Sequence, residues 1–178
     1  MKTNTYHHQL LTTAQALYQS VGRRQLKHIL FRRVISMSYY ALFHGLSSCA
    51  CEELFGRTKN AASARLLAAR SFEHTAMKEC CLQYRKPYNG MSERFKKFAI
   101  DPNPTELRRI AEIFEELQGL RHQADYDLTA IISRFDAAEA LSNTEQALND
   151  LDFALEHHYR ATHAFLAALL MHRQSRLA

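Results

Sequence analysis

The stretch RRQLKHILFRRVISMSYYALFHGLSSCACEELF, residues 23–55, decides the fold. It holds no proline, and Gly56 is the first residue suited to the left-handed position past a helix end. The pattern predicts one unbroken second helix from about Arg23 to Phe55, long enough to run the length of a small helical protein. Before it, Asn4 or Thr5 caps a first helix that carries Leu10, Leu11, Ala14, Leu17 and Tyr18 at i, i+3, i+4 spacing to Ser20, and Gly22 ends that helix. After it, a third helix is expected from about residue 61 or 63 to Tyr84. A turn follows at residues 85–90, then a short basic helix over residues 92–99, and a breaker at Asp101-Pro102-Asn103-Pro104. A fourth long helix starts at Thr105, sends Leu107, Ile110, Ala111, Phe114 and Leu117 to the core, and frays near Gly119 or reaches about Asp125. The last is expected from Ser133 or Asp136 to about His172, ahead of a loose polar tail at residues 173–178.

Working outward, the rest of the chain agrees with that stretch. Five Gly and three Pro in 178 residues leave little room for the many turns of a sheet, and the apolar residues are mostly Ala and Leu. The expectation is an all-α chain, an antiparallel bundle of four to five helices with a long second helix, forming a single domain over residues 1–178. No segment approaches the ~20 apolar residues that cross a bilayer, and none follows Met1 as a leader would, so a cytoplasmic protein is expected. Cys49, Cys51, Cys80 and Cys81 fall as C-x-C and C-C, outside zinc spacing, and are expected to be reduced helix-face residues. Glu156, His157, His158 and His163 do not share one face, and no glycine-rich phosphate loop or paired-carboxylate motif is present. No metal or cofactor is expected.

Twenty-three basic against 18 acidic residues give a formal charge of +5, and ten histidines add to it wherever they protonate. The balance suits a polyanionic partner. Lys27 with Arg23, Arg24, His28 and Arg32 forms one basic patch, and Lys96 and Lys97 with Arg85, Lys86 and Arg94 form another among Tyr84, Tyr88, Phe95 and Phe98. Both offer the mixture that grips phosphates and stacks bases, or else a solvated basic surface. On the second helix, positions 33, 37, 40 and 44 fall within an arc of about 60°, on the side of Leu26, Ile29, Cys51 and Phe55. Arg33 and His44 are therefore expected on an apolar face. A covered guanidinium needs an acidic partner, and Asp125 is the candidate, orienting Arg33 or Arg121. The functional reading of the same residues gathers Arg33, Tyr40, His44, Arg121 and His122 in one groove that binds a phosphodiester.

Three segments taken together, Arg33-Val34-Ile35-Ser36-Met37-Ser38-Tyr39-Tyr40-Ala41-Leu42-Phe43-His44, Phe72-Glu73-His74 and Leu120-Arg121-His122-Gln123-Ala124-Asp125-Tyr126, resemble the HEPN superfamily, in the branch with YYA-x-FH and R-x-x-ADY segments. The resemblance spans about residues 23–170. It implies a helical bundle, often a homodimer, commonly encoded beside a minimal nucleotidyltransferase or within toxin–antitoxin and phage-defence loci. Many such proteins are metal-independent ribonucleases in which an Arg and a His, with four to six residues between them, convert a phosphodiester to a cyclic phosphate.

Here Tyr126, Asp127 and Leu128 stand where that His would follow Arg121. His44, His74 and His122 are the candidate substitutes, and Tyr126 is a further candidate by resemblance to relatives that accept a nucleotide on tyrosine. The sequence thus assigns Arg121, His44, His122 and Arg33 as candidate catalytic residues, and Tyr40, Asp125, Tyr126, Arg23, Arg24, Lys27, Lys96 and Lys97 as candidate binding residues. The expected function is binding of RNA or of a nucleotide-linked partner, with a metal-independent ribonuclease or toxin as its enzymatic form. The expected partners are RNA, a nucleotidyltransferase or antitoxin protein, and a second copy of the chain. The alternative is a non-catalytic helical module that docks a protein such as a nucleotidyltransferase.

Overall fold

A computed structural model describes residues 5–20 and 27–171; Asn4, Gly22, Arg23, Arg24 and the tail at residues 173–178 lie outside the described residues. The fold is all-α, with no strand among the described residues. Among the described residues eight α-helices follow one another: α1 (Tyr6–Ser20), α2 (Lys27–Phe55), α3 (Ala62–Ala69), α4 (His74–Tyr84), α5 (Glu93–Lys96), α6 (Thr105–Tyr126), α7 (Arg134–His157) and α8 (Tyr159–Met171). The long second helix is present. It ends at Gly56, whose φ of 78° and N–H bond to the Glu52 carbonyl (2.9 Å) make the left-handed stop that glycine adopts without a Cβ penalty.

Two helices expected as single rods are divided, which raises the count. The segment expected to run unbroken to Tyr84 stops at Ala69 and resumes at His74. The Ser71 amide turns back to the Ala68 carbonyl at 2.9 Å and its hydroxyl to the Leu67 carbonyl at 3.2 Å, offering the backbone an alternative to the helical ladder. Glu73 is then extended, and Phe72 is buried. The last helix is interrupted at His158. There the Thr162 hydroxyl, fully buried, lies 2.8 Å from the Ala154 carbonyl and 3.0 Å from that of His158, a contact across eight residues that a straight helix could not make.

The chain divides into two compact units, each drawn from two stretches of sequence. Unit 1 takes the residues up to Gly45 with Ile113–Leu148, and unit 2 takes Leu46–Glu112 with the residues from Asn149 on. In unit 1, the pairs Arg32 with Ala124, Tyr40 with Arg121, and Tyr39 with Phe114 run in opposite chain directions, so α6 lies antiparallel to α2. Tyr6 with His44 and Tyr18 with Phe31 set α1 antiparallel to α2 as well. Ile35, Tyr39 and Leu42 of α2, Phe114 and Leu117 of α6, and Ala137 and Ala140 of α7 are fully buried in this unit. The Thr144 hydroxyl joins α7 to the Ser38 carbonyl at 3.2 Å.

Unit 2 packs α4 on α8 through Tyr84 and Phe165, whose ring centroids are 4.8 Å apart. Buried Asn103 donates to the carbonyls of Tyr84 (2.6 Å) and Lys86 (3.0 Å), closing the end of α4. Asp150, also buried, is held by the Arg109 fork at 2.5 and 2.7 Å. No helix among the described residues is long and apolar enough to cross a membrane.

Candidate functional site

Four side chains spaced by four residues, Arg32, Ser36, Tyr40 and His44, descend one edge of α2, because positions i and i+4 of a helix stand one above the other. In unit 1 they meet Arg121 and Asp125 of α6. Arg121 Nε lies 2.7 Å from Asp125 Oδ2, and its NH2 donates to the Tyr40 hydroxyl at 2.7 Å and to the Tyr126 hydroxyl at 3.4 Å. The guanidinium carbon stands 5.9, 5.4 and 5.2 Å from the ring centroids of Tyr39, Tyr40 and Tyr126, within reach of cation–π attraction. Ser36 Oγ donates to Asp125 Oδ1. Burial opposes the charge of Arg121, but Tyr40, Asp125 and Tyr126 outweigh it and hold the guanidinium above its ordinary pKa.

His44 continues the row. Its ring stacks on Tyr40 with centroids 6.3 Å apart, and the Tyr6 ring of α1 meets it edge-on at 4.9 Å. Burial pushes its pKa down, so the imidazole is neutral at physiological pH and able to accept a proton. His7, next along α1, is lowered to about 4 by burial and then by the neighbouring His8 and His44. His122 is exposed, yet its ring centroid lies 5.2 Å from that of Tyr126. Arg121 and His122 diverge at their backbones, and Tyr126 in the last turn of α6 is the partner that both reach.

Two sequence readings need correction. Arg33 is exposed, and Asp125 is held by Arg121 and Ser36, not by Arg33. The core seam of α2 runs through Ile35, Tyr39, Leu42 and Leu46, about 160° around the helix from Arg33. The inward-reaching arginine is its neighbour Arg32. Its NH1 donates to the carbonyls of Gln123 (3.3 Å), Ala124 (2.9 Å) and Asp127 (2.9 Å), and its NH2 to Ala130 (2.5 Å). Strict four-residue spacing from Tyr40 and His44 was the signal that could have singled out Arg32.

Of the remaining candidates, Tyr40, His44, Arg121, Asp125 and Tyr126 are brought together, with His122 at their edge, and Lys27 is exposed in the first turn of α2. Lys96 and Lys97 belong to unit 2, where Lys96 Nζ pairs with Glu93 at 2.7 Å and Lys97 is exposed; His74 opens α4 there. His163 pairs with Glu53 at 3.2 Å and His158 with Glu106 at 3.5 Å. Among the described residues no group of three or more His, Cys, Asp or Glu is placed to hold a metal ion. All four cysteines are free thiols, and burial pushes Cys49 up to about 12, which makes it a poor nucleophile.

The histidines set a pH dependence. His7 and His44 resist protonation in the folded chain but not in the unfolded one, so their contribution to stability is complete above pH 6.5 and declines below it, the His7 part being lost as pH falls toward about 4. The melting temperature is expected to decline across that window, and His7→Gln to flatten the decline. A slope equal in native protein and variant would contradict the assignment.

Comparison of the chain with protein-family models, with curated proteins and with solved structures gives no match.

Proposed function

We propose that this chain is a HEPN-like protein that binds RNA at the α2–α6 cluster of unit 1. The observation that carries the reading is the Tyr40 side chain. Its ring stacks on neutral His44 while its hydroxyl accepts a hydrogen bond from Arg121, so a proton acceptor and a cation flank one aromatic group. Exposed Tyr126 and His122 beside them offer faces on which unpaired bases stack, and exposed Lys27 and Arg33 offer charge for phosphates. In the enzymatic form of this reading, His44 takes the proton of a ribose 2′-hydroxyl. That oxygen attacks the adjacent phosphorus while Arg121 offsets charge on the phosphoryl oxygens; the bond to the 5′-oxygen breaks, that oxygen takes a proton from water and leaves as a 5′-hydroxyl, the His44 imidazolium returns its proton to solvent, and a cyclic phosphate remains.

The test is the affinity of a labelled single-stranded RNA, measured by fluorescence anisotropy. Stacking is worth about 1–3 kcal/mol per base, so Tyr126→Ala is expected to weaken binding by roughly 5- to 150-fold. An unchanged affinity in the folded variant would refute the cluster as the RNA site.

One observation favours a second reading, a module that docks a protein without catalysis. The Arg121 side chain is only 17% exposed and already answered by Asp125, so a phosphate must compete for it. A folded native protein with no measurable affinity for the labelled RNA would select this reading over the RNA-binding one.

A further inference from the structure

Tyr6 opens α1 and is 59% exposed, and Tyr126 in the last turn of α6 is 63% exposed. Single exposed tyrosines are ordinary, but these two stand at opposite ends of one row of polar groups in unit 1. Ring contacts link Tyr6 to His44 at 4.9 Å and His44 to Tyr40 at 6.3 Å. The Arg121 guanidinium carbon then lies 5.4 Å from the Tyr40 ring and 5.2 Å from that of Tyr126. The row is linear. His44 is one turn past Tyr40 on α2, and because α6 runs antiparallel to α2, Tyr126 lies beyond Arg121 in the opposite direction.

The first turn of α1 is held against the His44 end. The Thr5 carbonyl accepts the Gln9 amide at 3.1 Å, and the Thr5 hydroxyl is 3.2 Å from His7 Nε2. Beside His44, α2 carries Gly45, where a Cβ would stand 2.6 Å from Leu148 Cδ2 and 3.7 Å from His7 Cδ2, so the helices close there on bare backbone. Tyr6 is therefore presented at a fixed position. Its ring crosses that of His44 at 72° instead of stacking on it, and with more than half of the residue open to solvent a ring face is available to a base. In the row itself, His44 can meet a ribose hydroxyl and Arg121 a phosphate, but neither supplies a surface for a base at this end. α1 carries no acidic residue and α2 none before Glu52, so neither helix that joins Tyr6 to His44 sets a carboxylate against a phosphate there. Asp125 of α6 is engaged by Arg121 and Ser36.

We propose that Tyr6 is a base-stacking subsite of the RNA site: one unpaired strand lays a base on Tyr6 and another on Tyr126, with its sugar–phosphate backbone between them along His44, Tyr40 and Arg121. The inference rests on the RNA-binding reading and adds to it the end of the site that α1 supplies.

The test uses the full chain with labelled oligoadenylate and oligouridylate, each about six nucleotides long, and fluorescence anisotropy as the readout. Tyr6→Leu is expected to weaken oligoadenylate binding by roughly 5- to 150-fold, the range of one base stack. Tyr6→Phe, which keeps the ring, is expected to bind within about twofold of the native chain. Adenine stacks more strongly than uracil, so the loss in Tyr6→Leu should be about threefold or more greater on oligoadenylate than on oligouridylate. Tyr6 is exposed, so both variants keep the native helical circular dichroism. A role confined to shaping His44 or fastening α1 would weaken both strands by the same factor, and that outcome overturns the proposal. So does loss of affinity in Tyr6→Phe. Native affinity in Tyr6→Leu beside weakened binding in Tyr126→Ala overturns this inference alone, whereas no binding of either strand by the native chain overturns it together with the reading it rests on.

Discussion

Arg32→Ala is expected to lower the unfolding free energy by about 3 kcal/mol, while Arg33→Ala, one residue away, changes it by no more than about 0.5 kcal/mol. The Arg32 guanidinium supplies donors to four main-chain carbonyls. Two of them, at Gln123 and Ala124, are among the last four of α6; that of Gln123 also accepts the Asp127 amide at 3.1 Å. A cation there also opposes the negative end of the helix dipole. Hydrogen bonds to a charged donor contribute about 1.5–3 kcal/mol each. Water replaces part of that at a half-exposed site, which leaves the net near the value given. For a chain of this size the loss corresponds to a fall in melting temperature of roughly 6–12 °C. Arg32→Lys should recover only part of it, because an ammonium group lacks the fork that reaches both Asp127 and Ala130. Equal melting temperatures for the Arg32 and Arg33 variants would contradict the assignment of Arg32 as the residue that fastens this loop.

Arg121→Ala is expected to cost about 3 kcal/mol, the second large effect. It removes the ion pair with Asp125 and leaves a carboxylate that is 80% covered, with the Ser36 hydroxyl as its hydrogen-bond donor. It also strips the donor from Tyr40 and the cation from three aromatic rings. Because most of that cost is a stranded charge, the double variant Arg121→Met/Asp125→Leu should be less destabilised than Arg121→Ala alone. Chemical denaturation of the three proteins checks this. A double variant that loses the sum of both single effects would show that the pair is not the source of the cost.

Much of the fold was legible because the punctuation was strong. A proline-free run ending at Gly56 gave α2, and Thr105 after the Pro102 and Pro104 breaker gave α6, which passes through Gly119 to Tyr126. The interruptions at Ser71 and His158 were not legible, since neither involves a proline. Leu66 and Leu67 look like core residues that should carry the third helix onward. Both are exposed, and the buried side chain that ends the segment is Phe72. The bend at His158 depends on where the Thr162 hydroxyl points, which no sequence pattern fixes.

At the candidate site, Tyr40, His44, Arg121, Asp125 and Tyr126 were all identified from the sequence and do lie together. What failed was the choice between adjacent arginines. On a helix one residue is 100°, and an apolar arc drawn through Leu26 and Ile29 pointed to Arg33, whereas Ile29 itself is exposed. The contributions of α1, through Tyr6 and His7, were also missed, because contacts between residues far apart in sequence leave no local periodicity to read.

The enzymatic form of the proposal, in which the Tyr40 cluster cleaves RNA, is tested most directly by incubation of the purified chain with total cellular RNA and a tRNA pool in EDTA, beside His44→Ala of verified fold. Discrete fragments ending in cyclic phosphate, made by the native protein and absent with His44→Ala, are the result the account predicts. RNA that stays intact at high protein excess, or fragments that persist unchanged in the variant, would contradict it.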